Sequence, residues 1–148
     1  MSMSIPWTMT FDAADPGRVG RFWMLALGYV PRPVPTGFAS WDAWFEHYDV
    51  PADERDIEAF LVDPDGQRPS ISFLKVPESK VAKNRLHLDI QIGGGRNDTP
   101  WEERWPRVEE LVRGLVAAGG TVLQRHDLHG RPDHYVMADP EGNEFCVL

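Results

Sequence analysis

The chain has 148 residues, 42% of them hydrophobic and 26% charged, with a formal net charge of −8. That is the balance of one globular domain, or of two fused half-domains, long enough to bury a core without staples. It argues against a nucleic-acid partner, because phosphate neutralisation calls for an excess of Lys and Arg. No membrane span is expected either, since no apolar run approaches the roughly 20 residues that cross a bilayer.

The single cysteine, Cys146, excludes an internal disulfide framework and fits a reducing compartment. The opening residues Met1-Ser2-Met3-Ser4-Ile5-Pro6 lack the basic region and apolar run of a secretory signal, so a cytoplasmic protein is expected.

In chain order, residues 7–12 read as a strand, with Trp7, Met9 and Phe11 alternating against Thr8, Thr10 and Asp12. Asp15 and Pro16 open a helix as N-cap and first helical residue. Val19, Phe22, Trp23 and Ala26 give it a buried stripe, and Gly28 ends it. A proline-rich loop leads to two expected strands, 38–45 and 58–62. The stretch between them is acidic, and eight carboxylates lie from Asp42 to Asp63. A solvated surface accounts for them; a cationic small-molecule partner is the sharper alternative. Asp63-Pro64-Asp65-Gly66 fits a type I turn, and 70–76 is a further strand.

After a polar linker at 77–83, Leu86, Leu88, Ile90 and Ile92 alternate with His87, Asp89 and Gln91, as in a strand with one face on a core. Thr99-Pro100-Trp101-Glu102 matches a capping box. Pro106 is a helix breaker, so a short turn at 99–105 and a main helix from 106 to about 118 are predicted. Val108, Leu111, Val112, Leu115 and Val116 form its apolar stripe. Strands follow at 121–125, 134–138 and 143–148, where Glu144 and Cys146 alternate with Phe145 and Val147. His126, His129 and His134 read as a solvated loop and hairpin rather than a zinc site.

The order strand, helix, three strands occurs twice. Leu61 to Gly66 is echoed 76 positions later by Met137 to Gly142, and Thr8 and His87 hold matching places on the two first strands. The predicted fold is therefore α+β: two βαβββ modules, about 5–76 and 84–148, form a curved mixed sheet around a groove with the helices outside.

Lys83-Asn84-Arg85-Leu86-His87-Leu88-Asp89 and Asp139-Pro140-Glu141-Gly142-Asn143-Glu144-Phe145-Cys146 resemble the glyoxalase/bleomycin-resistance/dioxygenase superfamily, the vicinal oxygen chelate fold. With Val76-Pro77-Glu78 they are similar to its glyoxalase-like branch common in high-GC bacteria. The resemblance implies a sheet-lined small-molecule site, often a homodimer, and in many members a divalent metal held by one ligand on each first and last strand.

Of those ligand places, Thr8 and His87 stand on the first strands, Cys146 where the last strand usually carries Glu, and Ser70 or Ser72 in module one. Only His87 is of the usual type, so no metal cofactor is expected. The alternative is one divalent metal ion on His87 and Glu144. The site residues singled out are His87, Asp89 and Glu144 for acid–base work. Thr8, Thr10, Asp12, Trp41, Trp44, Gln91 and Cys146 join them as a ligand pocket. The expected function is binding of a small organic molecule. The alternative is a lyase, isomerase or dioxygenase acting on an oxygenated small substrate through His87.

Overall fold

Parallel pairing of a first strand with a last strand defines each half of the fold in the computed structural model, which describes residues 3–148. In module one, β1 (Met9–Ala13) runs parallel to β4 (Ile71–Lys75), with Met9 opposite Ile71 and Thr10 opposite Ser72. β3 (Glu58–Val62) is antiparallel to β4, and β2 (Val30–Pro31) is antiparallel to β3. In module two, β5 (Asp89–Ile90) runs parallel to β8 (Glu144–Val147). β7 (Arg131–Ala138) is antiparallel to β8 and to β6 (Thr121–Leu128). The orders β1-β4-β3-β2 and β5-β8-β7-β6 are the same arrangement twice, in two open four-stranded mixed sheets. A parallel pair needs a long crossover; a helix and two strands supply it in each half, with a further short helix at Trp41–His47 in module one. The expected α+β architecture of two βαβββ modules is the one observed.

The chain divides into two compact units. One holds the described residues up to Met24 with Gly28–Glu78; the other holds Leu25–Leu27 with Ser79–Leu148.

Local chemistry sets the module-one elements. The Asp15 carboxylate accepts from the Arg18 N–H at 3.0 Å, and Pro16 starts α1 (Pro16–Leu27). Gly28 closes it at a φ of 68°, a left-handed conformation that costs glycine little. Val19, Phe22, Trp23 and Ala26 are buried as the stripe required. Phe11 packs on Trp23 and Phe73 with ring centroids 5.3 Å away in both cases. Asp63 and Asp139, buried at the two repeated turns, each accept several backbone N–H groups and so fix the geometry that the repeated motif encodes.

Five expectations need correction. Residues 38–45 do not form a strand: α2 (Trp41–His47) stands there, with the Ser40 hydroxyl accepting from the Ala43 N–H at 3.1 Å. The aromatic content had favoured extended chain, but an N-cap, Asp42 in the first turn and aromatics at helical spacing decide the matter. The short β2 lies in what was read as loop.

The strand expected over 85–92 shrinks to Asp89–Ile90, and Leu86 is 67% exposed. The Leu88 carbonyl still accepts from Cys146 of β8, and Ile90 and Gly93 bond to Leu148 just past it, whereas 84–87 make no such ladder. Helix α3 (Trp101–Ala117) runs through Pro106 without a break, begins after Pro100 with no side-chain cap, and leaves Val116 exposed. The lost bond would fall on the carbonyl of Glu102, an exposed residue in the first turn, where water can replace it. Finally, β6 and β7 extend to a two-residue turn, His129-Gly130, both at positive φ. His126 and His134 are cross-strand partners with stacked rings 4.7 Å apart, not loop residues.

Candidate functional site

In module one the predicted site residues separate into two groups. Thr8, Thr10 and Asp12 are exposed at β1, the edge strand. The Thr10 and Ser72 hydroxyls hydrogen-bond to each other across the β1–β4 pair at 2.9 Å. Trp41 and Trp44, by contrast, lie toward the other edge and line a cavity of about 730 Å³. That volume suits a small organic ligand.

Three elements build the cavity. One turn after another, α1 contributes Gly17, Gly20, Arg21 and Met24, a stripe beside its buried one. Gly20 lets helix and sheet approach, since a Cβ there would stand 3.3 Å from that of Ala59. From β3 come Glu58 to Leu61. Helix α2 supplies Trp41, Trp44 and Phe45, a ring cluster with Trp41–Trp44 centroids 5.7 Å apart and Trp44–Phe45 centroids 5.6 Å apart. Two bonds hold the surrounding loop: the Trp41 indole N–H donates to the Arg32 carbonyl at 3.4 Å, and Arg55 Nε donates to the Val50 carbonyl at 3.1 Å.

The arginines of this wall, Arg21, Arg32 and Arg55, were not singled out in the sequence. Arg21 sits four residues after Gly17 on one helical stripe, a spacing that a search for a second face on α1 would find. Arg32 and Arg55 come from loops and carry no periodic signal.

In module two several of the expected residues meet around β5, β8 and the segment before β5. Glu144 accepts a short charge-assisted hydrogen bond from the Lys83 ammonium, and His87 Nε2 lies 3.6 Å from the same carboxylate oxygen. The Lys83 bond holds the Glu144 carboxyl below its ordinary range, against the opposing effect of burial, with further help from the charges of Lys83, His87 and Lys80. Asp89 is the register partner of Cys146. Burial pushes the Cys146 thiol up, and the neighbouring Asp89 carboxylate adds to the shift. A raised thiol is a weaker nucleophile near neutral pH than an ordinary cysteine. Gln91 lies just past β5 and is exposed.

This donor set does not fit a divalent ion. His87 and Glu144 are the two ligand types at hand, and an ammonium already neutralises the carboxylate where a metal charge would stand. Among the described residues no three His, Cys, Asp or Glu side chains converge as a ligand group, whereas catalytic metals generally take three. His87 Nε2 stands 3.6 Å from the Glu144 carboxylate, beyond direct hydrogen-bond distance.

The glyoxalase-like domain model matches residues 8–148. No curated protein matches the chain in sequence. Among solved structures, a glyoxalase/bleomycin resistance protein/dioxygenase family enzyme from Burkholderia phytofirmans PsJN is 17% identical, with 97% of each chain covered and a TM-score of 0.59. The fosfomycin resistance protein FosX from Listeria monocytogenes, complexed with Mn(II) and sulfate, is 13% identical over 99% of this chain and 90% of its own, with a TM-score of 0.61. A possible glyoxalase from Bacillus cereus is 13% identical over 98% and 99%, with a TM-score of 0.58. At these identities the structures share the fold, and the family is carried by the domain match along nearly the whole sequence. The chain belongs to the glyoxalase-like domain family, and it shares its fold with a glyoxalase/bleomycin resistance protein/dioxygenase family enzyme.

Proposed function

We propose that this protein binds a small organic molecule in the module-one cavity beside Trp41 and Trp44, and does so without the metal found in FosX. The observation that carries the reading is the cavity itself: about 730 Å³, walled by Trp41, Trp44, Phe45 and Phe60, with Met24 and Leu61 adding apolar surface. None of the α2 aromatics is fully buried. Large half-exposed rings around a concavity are poorly explained by core packing and well explained by a ligand that covers them.

Calorimetric titration with 2-naphthylmethanol, a neutral bicyclic aromatic, tests it. Binding that weakens about tenfold in Trp44→Ala, equal to about 1.4 kcal/mol, and is unchanged in Cys146→Ala supports the reading. Equal affinities for Trp44→Ala and the unaltered protein contradict it. Residence in the cytoplasm and assembly as a homodimer belong to the same reading, on composition and family resemblance.

A second reading places chemistry on module two, in a lyase, isomerase or dioxygenase acting on an oxygenated small substrate. It is favoured by the 3.6 Å approach of His87 to Glu144, with Asp89 and Gln91 as polar neighbours in module two. FosX structures hold Mn(II) with dihydroxypropylphosphonic acid; here His87 would act as acid or base with no metal assigned. Loss of turnover in His87→Asn, with the fold intact, is what that reading requires.

A further inference from the structure

We infer that the module-one cavity selects an organic anion, a planar aromatic ring bearing a carboxylate or similar group. The inference rests on the binding reading above and adds the ligand's charge.

Three guanidinium groups stand at its wall. Arg32 lies over the Phe60 ring at 4.9 Å and Arg55 over the Phe45 ring at 5.6 Å, and both rings line the cavity. A terminal nitrogen of Arg21 is 3.5 Å from where a Cβ on Gly17 would be, and Gly17 is also part of the lining. Among the described residues none of the three has a carboxylate within 4.0 Å. Unpaired arginines are notable in a chain of net charge −8, which has carboxylates in excess to pair with them.

The acidic stretch from Asp42 to Asp63 pointed in the sequence to a cationic ligand. Of its eight carboxylates only Glu54 and Glu58 line the cavity, against three arginines. The rings matter as much as the count. A cationic aromatic ligand would place its charge over a ring face, yet Arg32 and Arg55 already occupy the Phe60 and Phe45 faces. A guanidinium lying flat on a ring still presents its N–H edge, the edge that pairs bidentately with a carboxylate or phosphate. The Trp44 indole N–H donates to no protein group among the described residues and adds a donor to the wall. Cations and N–H donors on an aromatic wall are the chemistry that recognises a planar anion, and the Trp41 and Trp44 rings supply apolar surface for its ring.

The test compares three probes of one shape by calorimetry at low salt: 2-naphthoate, neutral 2-naphthylmethanol and protonated (2-naphthyl)methylamine. The expected result is that naphthoate binds at least tenfold tighter than the amine and loses affinity as salt rises. Arg32→Gln and Arg55→Gln should each weaken naphthoate at least fivefold more than they weaken naphthylmethanol, and equal losses for the two probes would overturn the charge assignment. If all three bind equally, or the amine binds best, the charge assignment is overturned while the binding reading stands. If none binds, the binding reading falls and takes this inference with it.

Discussion

At the scale of single residues, Asp133 on β7 carries the most concentrated electrostatics in the chain. It is buried, with Arg96 Nε at 2.7 Å, Arg104 at 3.1 Å and His134 Nδ1 at 2.7 Å. The Arg96 hydrogen bond, reinforced by His134 and by the charges of Arg96 and Arg104, drives the Asp133 carboxyl far below its ordinary range, although burial opposes this. The native state therefore holds the carboxylate more tightly than the unfolded chain does. The sign follows: Asp133 contributes stability that is complete above the unfolded value near pH ~4 and declines as pH falls further toward the depressed native one. Asp133→Asn should strip away that acid dependence and cost about 3 kcal/mol, since Arg104 is left buried without its counter-charge. Urea unfolding from pH 3 to 7 checks both points; parallel stability curves for the two proteins would refute the assignment.

Cys146 gives a second test at this scale. Its raised thiol should react with Ellman's reagent at pH 8 more slowly than free cysteine does, because the thiolate is the reactive form. Faster labelling would restore it as a nucleophile candidate. His87 approaches Glu144 from outside the paired strand, whereas the Asp89–Cys146 pair was legible because strand parity on β5 and β8 fixes neighbours. The cavity arginines were not, because they arrive from a helix and two loops and meet only in the fold.

At the scale of elements, β5 shows how far periodicity can be pushed. Alternation ran over 85–92, yet only Ile90 of its apolar set is buried while Leu86 is exposed. Ile90→Asp should therefore unfold the protein or destabilise it by more than about 3 kcal/mol, an unpaired charge in an apolar core. Leu86→Asp should stay within about 0.5 kcal/mol of the parent. Thermal melts of the two variants decide it, and equal shifts would mean that the face assignment is wrong. Helix α1 and the two Asp-Pro turns were readable because caps, stripes and turn chemistry are local, whereas α3 was readable from its stripe and not from its cap or start. Helix α2 was misread for the opposite reason: at seven residues it has no buried stripe, and its aromatics look like strand until Ser40 is recognised as a cap. Ser40→Ala should cost about 1 kcal/mol and weaken naphthylmethanol binding, since α2 carries the aromatic wall. Unchanged binding would detach α2 from the site.

For the whole molecule, the doubled βαβββ order was legible from one repeated turn and one pair of first strands, and the family match over residues 8–148 agrees with it. Fold alone does not assign chemistry, and the ligand positions of this family were the informative departure. With Thr8 and Cys146 at two of them and Lys83 on Glu144, protein purified without chelating resin should carry less than about a tenth of an equivalent of transition metal, against the three ligands such ions want. One equivalent, lost in His87→Ala, would make this a metalloenzyme. The most direct single measurement is a map of amide chemical-shift changes on titration with 2-naphthoate. The account predicts changes concentrated at 17–24 and 41–61, the elements of the module-one cavity. Changes confined to 87–91 and 144–147, with the first set unmoved, would contradict it.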